Sequence, residues 1–172
     1  GLRVFVITLL LALGAIAVFV AFSINLLEGS HATAPKLSDA SAHVGNYVTF
    51  GSYEQDNNSS KGKEPIEWLV LDVQHGKALL ISRCGLDIQP YNTELTDITW
   101  EKCTLRTWLN STFLNAAFSA SEQKRISAVT VSADKNPDHN TYSGKNTIDQ
   151  VFLLSSPEVS EYFSSDKARQ CK

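Results

Sequence analysis

What this chain lacks narrows the possibilities first. It has no CxxC and no paired His/Cys spacing, and His31, His43, His75 and His139 are scattered, so nothing presents the ligand spacing of a zinc site. It has no excess of basic residues: 15 Lys and Arg against 18 Asp and Glu leave a formal net charge of −3, which recommends neither nucleic acid nor an anionic lipid surface as a partner. No internal repeat is visible and no catalytic motif stands out. Charge is missing altogether between Arg3 and Glu28.

That uncharged stretch is the strongest single feature. Its core, VFVITLLLALGAIAVFVAF, holds about 19 nearly all apolar residues, close to the roughly 20 that a helix rising about 1.5 Å per residue needs to cross a hydrocarbon core of about 30 Å. Most are Leu, Ile, Val or Phe, and their summed insertion free energy is favourable by about 4 to 8 kcal/mol. The length therefore predicts an uncleaved signal anchor over residues 1–27, with residues 4–27 in the membrane. A cleavable signal peptide is the rival. Its apolar region is usually shorter, and the small-x-small site Ala32-Thr33-Ala34 is followed by Pro35, which hinders cleavage. Arg3 on the short flank places the remaining mass outside the cytoplasm by the positive-inside rule, giving a single-pass protein of the cell membrane.

Residues 28–43 read as a linker, because their Ser, Ala, Pro, Asp and Thr content has no apolar periodicity. Residues 44–172 suffice for one domain. Tyr47–Phe50 is rich in strand formers, and the run Ile66–Val73 is apolar on both faces, as a central strand would be. The loop Gln74-His75-Gly76-Lys77 separates it from Ala78–Ser82 and predicts an antiparallel hairpin. Leu105, Trp108, Leu109, Phe113 and Ala116 recur at helical spacing, predicting an amphipathic helix over 104–117. Ser119 and Glu122 are placed to form a capping box for a short helix to about Ile126. Strands are expected at 128–133 and 151–154, and a brief helix from Ser156-Pro157 to about Phe163.

Two loops carry candidate binding residues. Asp134, Asn136 and Asp138 place oxygen-bearing side chains at alternate positions, as calcium loops do, although His139 stands where a sharp turn wants glycine and Lys145 where a bidentate Glu would sit. A solvated, turn-rich loop explains the same residues. Tyr91 and Trp100 lie in the loop sequence QPYNTELTDITW and are candidates for stacking on a sugar, whereas Trp68 and Trp108 fall on core-facing positions. The acids Glu94 and Asp97 of that loop read as solvated.

Four blocks, TFGSYEQDNNSSKGKEPIEWLVLDV, ALLISRCGLDIQPYN, TWEKCTLRTWLNSTFLNAAFS and VFLLSSPEVSEYFSSDKARQC, together resemble the bacterial family of domains of unknown function numbered 6273. The resemblance runs from Val44 to Lys172. It implies a secreted or membrane-anchored protein, a distant likeness to C-type lectins and sulfatase-modifying factors, and a domain continuing beyond Lys172. The expected fold is thus α+β: an antiparallel sheet with packed helices, one N-terminal transmembrane helix and an incomplete C-type-lectin-like domain. The same resemblance implies a disulfide between Cys103 and Cys171, with Cys84 left over; buried free thiols are the alternative.

The functional expectation is a surface-displayed, non-catalytic binding or adhesion module for a glycan or a surface protein. No cofactor is implied beyond calcium, and no nucleic acid. An extracytoplasmic enzyme related to sulfatase-modifying factors, or a structural envelope protein, stands as the alternative, resting on fold analogy.

Overall fold

Apolar strands alternate with short helices along the chain. A computed structural model describes residues 15–18, 20–26, 42–135 and 142–169. In chain order its elements are β1 (Ala15–Val18), β2 (Ala21–Asn25), β3 (Tyr47–Tyr53), β4 (Glu64–Gln74), β5 (Lys77–Ser82), β6 (Asp87–Pro90), α1 (Thr104–Trp108), α2 (Leu114–Ala117), α3 (Ala120–Arg125), β7 (Ile126–Ser127), β8 (Val129–Val131), β9 (Thr147–Asp149) and α4 (Ser156–Tyr162). A π-helical turn, Leu109–Phe113, joins α1 to α2, so residues 104–117 wind continuously as their periodicity predicts.

The main sheet is antiparallel, in the order β3-β4-β5-β2-β7. Its register starts at the β4–β5 hairpin, where Gln74 pairs with Lys77 and the turn is the dipeptide His75-Gly76. Both turn residues have positive φ, 51° and 71°, the conformation whose twist matches that of the flanking strands. One face of the sheet buries Phe22, Phe50, Trp68, Val70 and Leu80 under Leu105, Leu109, Phe113 and Leu114 of the long helical stretch and Phe118 just after it. Ser119 and Glu122 form the expected capping box on α3. A second capping box, Ser155 with Glu158, starts α4 one residue earlier than the sequence suggests.

The transmembrane helix expected over residues 4–27 is corrected by this sheet. Residues 15–18 and 21–25 of that run are strands, and no helix among the described residues is long and apolar enough to cross a membrane. β2 is an interior strand, with β5 on one side and β7 on the other. Val20, Ala21, Phe22 and Ile24 are fully buried. An interior strand covered on both faces is largely apolar along its length, so it gives much the same hydropathy signal as part of a membrane helix. The branched and aromatic residues of Ile16–Ile24 suit the pleated conformation.

Two smaller corrections concern the later strands. The strand expected at 128–133 shortens to β8, which pairs with β9 in a separate ribbon. The strand expected at 151–154 reduces to one bridge, in which Phe152 and Ala21 exchange backbone hydrogen bonds of 2.9 Å. The residues just before it are held by a side chain instead.

Candidate functional site

The densest polar chemistry in the described residues surrounds Asp149, at the end of β9. The alternation Thr147, Asp149, Val151 turns these three inward, and an acid at a buried position must find donors or lose its charge. Asp149 finds three. Trp100 Nε1 donates to Oδ2 at 3.0 Å, Thr147 Oγ1 donates to the same oxygen at 2.6 Å, and Arg106 Nε donates to Oδ1 at 2.7 Å. Arg106 also reaches the carbonyls of Glu101 and Ile148, so α1 is tied to both the preceding loop and β9.

One helical turn further on, Asn110 continues the same seam. It lies in the π-helical turn, and its amide group takes the place of a strand partner for the segment after β9. Nδ2 donates to the Val151 carbonyl at 2.8 Å, while Oδ1 accepts from the amides of Gln150 and Val151 at 2.9 and 3.1 Å. Gln150 Nε2 in turn donates to the carbonyls of Gln123 and Ile126. This is why 151–154 cannot run as a regular strand: its first amides are already satisfied by a side chain.

The residues singled out from sequence fall in different places. Trp100 is 3% exposed and joins the Asp149 cluster; Tyr91 is 8% exposed and lies beside the Cys103 thiol. Neither ring presents an open face in this arrangement. Asp134 is exposed, at the end of the described segment, while Asn136 and Asp138 lie outside the described residues. Cys103 is 1% exposed, and burial pushes its thiol up from the ordinary pKa; Cys171, its expected partner, lies outside the described residues. Glu94 and Asp97 are exposed.

Sequence reasoning missed Asp149, Arg106 and Asn110. The available signal was an acid at an inward strand position ahead of an apolar run, read without knowing which helix faced it. A second acidic group, Glu54, Asp56 and Glu64, brings one oxygen from each within 4.8 Å. Its members already accept from Asn58, Lys61 and Gln55, so they fasten the β3–β4 loop.

An aromatic platform lies on the far side of the main sheet. Tyr47 starts β3, the last strand on that side among the described residues, and is 53% exposed. The Arg83 guanidinium sits 4.9 Å from its ring centroid and pairs with Glu67 at 2.6 Å. Tyr47 pairs across the sheet with Leu69, and Leu69 with Ile81, so the platform continues into a half-buried apolar row.

A curled antiparallel sheet with a few short helices over one face, knotted by a buried carboxylate, defines a small mixed sheet-and-helix domain. The chain belongs to the family described as Domain of unknown function (DUF6273), whose model matches residues 75–172. The matched span begins in the β4–β5 turn, so it takes in every helix described above and the whole Asp149 cluster but leaves out β1 to β4. No curated protein and no solved structure matches the chain, so the lectin-like likeness has no relative to rest on.

Proposed function

We propose that this domain is a non-catalytic binding module and that its ligand is a polypeptide surface. The observation that carries the reading is the Tyr47 platform. An exposed aromatic ring, a guanidinium stacked on it and an apolar row behind are the side-chain types that supply most of the energy in protein recognition. The Arg83–Glu67 pair would orient a partner more than hold it, since exposed ion pairs add little affinity.

The buried chemistry supports the same reading. Asp149 is committed to three donors, and burial keeps the Cys103 thiol protonated, so each is better suited to holding the fold than to proton transfer or nucleophilic attack. Sugar stacking would need open ring faces, and Trp100 and Tyr91 are covered.

The test is to probe a displayed peptide library and a glycan array side by side with the full chain and with Tyr47→Ala. Peptide ligands that weaken at least tenfold on Tyr47→Ala support the proposal. Binding confined to glycans, or peptide binding indifferent to Tyr47, overturns it.

A further inference from the structure

The segment Ala15–Asn25 is extended throughout its two strands and is embraced by others. β1 runs antiparallel to β6, from Ala15 opposite Pro90 to Val18 opposite Asp87. β2 then runs antiparallel to β5 on one side and to β7 on the other, with Phe152 adding a bridge at Ala21. Every one of these acceptors, β5, β6, β7 and Phe152, lies within residues 75–172, whereas the segment lying among them comes from outside that family-matched span.

Nothing local joins the segment to its neighbours. β5 and β7 follow it by more than fifty residues, and its own continuation, residues 26–46, leads to β3 at the far edge of the sheet. The seat is specific nonetheless. Both ends are clamped: Val20 N–H donates to Ser82 Oγ and the Val20 carbonyl accepts from the Ser82 amide, while Leu26 N–H donates to the Gly76 carbonyl and Ser127 Oγ donates to Asn25 Oδ1. Between the clamps Phe22 enters an aromatic pocket of Phe50, Trp68 and Phe118, Ile24 is fully buried, and the positions flanking Phe22 on the strand are the small residues Ala21 and Ser23.

We propose that β5, β6 and β7 form an acceptor groove for an extended apolar peptide, occupied here in cis by β1 and β2. The ligand class is a polypeptide strand with bulky side chains at alternate positions and small ones between, held by backbone hydrogen bonds on both sides and selected by the Phe22 pocket. The segment belongs to the same chain as the groove and so competes at a high effective concentration, and a free peptide enters only when the cis strand is spoiled or cut loose.

The probe is a synthetic peptide of residues 13–27 with lysines added for solubility, offered to the full chain and to the full chain carrying Phe22→Asp. Saturable one-to-one binding to Phe22→Asp, at least tenfold weaker for a peptide carrying the same substitution and at least a hundredfold weaker to the unaltered chain, is the expected result. Equal uptake by both chains, or indifference to Phe22 in the peptide, overturns the proposal. Should Phe22→Asp fail to fold, the unaltered chain with a protease site inserted after Ser30 is cut once folded. Exchange of the released strand for labelled peptide, read by native mass spectrometry, then supports the groove, and no exchange while the cut chain stays folded overturns it.

Discussion

Phe22 meets Trp68 edge to face, with ring centroids 4.6 Å apart and planes at 81°. This contact joins the most hydrophobic segment of the chain to the longest strand of the sheet. Phe50 and Phe118 complete the cluster around Phe22, with centroids at 5.7 and 5.5 Å, and Trp68 Nε1 donates to the Phe50 carbonyl at 2.6 Å, so the indole is satisfied as well as packed.

Truncating Phe22 should therefore cost the domain a large fraction of its stability. Phe22→Ala in the full chain is expected to lower the unfolding free energy by about 3–5 kcal/mol, followed by urea titration of tryptophan fluorescence. An unchanged midpoint would mean that residues 20–25 do not lie in the sheet.

Asp149→Asn keeps the shape of the side chain but removes the charge facing Arg106. The expected loss is about 2–4 kcal/mol, less than for a fully buried pair because the Arg106 side chain is 28% exposed and can recruit water. Trp100→Phe removes one neutral donor to the same carboxylate and should cost only about 1 kcal/mol beyond any packing change. Equal losses from the two substitutions would contradict the central role of the Arg106 pair.

Gly51 occupies the irregular step of β3, where the pairing with β4 shifts between Thr49 and Ser52, and its φ is +71°. An added Cβ would lie 2.6 Å from the Phe118 ring and 2.7 Å from the Ala117 carbonyl oxygen. Gly51→Ala should cost about 2–5 kcal/mol, from left-handed strain plus overpacking. Gly62 has a φ of +81° with open space around it, so Gly62→Ala should show the strain alone, about 1–2 kcal/mol. Thermal melts of both variants separate the two contributions.

Tyr53 donates to Asp87 at 2.5 Å, and burial together with that carboxylate raises its hydroxyl well above the ordinary tyrosine range. The proton is thus held more tightly in the folded chain than in the unfolded one. Its contribution to stability is complete below about pH 10, the unfolded value, and is lost progressively as pH rises above that toward the folded value. Comparing the unaltered chain with Tyr53→Phe by urea unfolding from pH 8 to 11.5 isolates this group. The difference between them should shrink only above about pH 10, and a difference independent of pH would refute the assignment.

Cys103 is buried with its thiol pushed up, whereas Cys84 is half-buried. Iodoacetamide at pH 8 should label Cys84 at least tenfold faster than Cys103 in the folded chain, with the gap closing in urea. Peptide mapping reads both sites at once. Resistance of Cys103 in urea without reductant, relieved by reductant, would instead reveal the bridge to Cys171.

Local structure was legible wherever the determining interactions were local. The His75-Gly76 hairpin, the helical winding of 104–117 and the Ser119–Glu122 box each depend on residues a few positions apart, and each is written in residue type and spacing. The Asp149 cluster was not, because two of its three donors lie 43 and 49 positions away on α1 and the loop before it, and a single acid gives no sign of which helix will cover it. The burial of Tyr91 and Trp100 was not legible for the same reason: their loop composition suggested exposure, and the groups that cover them are distant in sequence.

By itself the sequence determined that residues 4–22 form an apolar run that favours leaving water, that 44–172 could build a sheet with helices, and which family the chain resembles. Hydropathy records the free energy of leaving water, which is nearly the same in a bilayer and in a protein core. Only the tertiary structure decided that residues 21–25 satisfy their backbone through β5 and β7 rather than within a helix. That choice depends on hydrogen-bond partners more than fifty residues distant, and no window of sequence contains them.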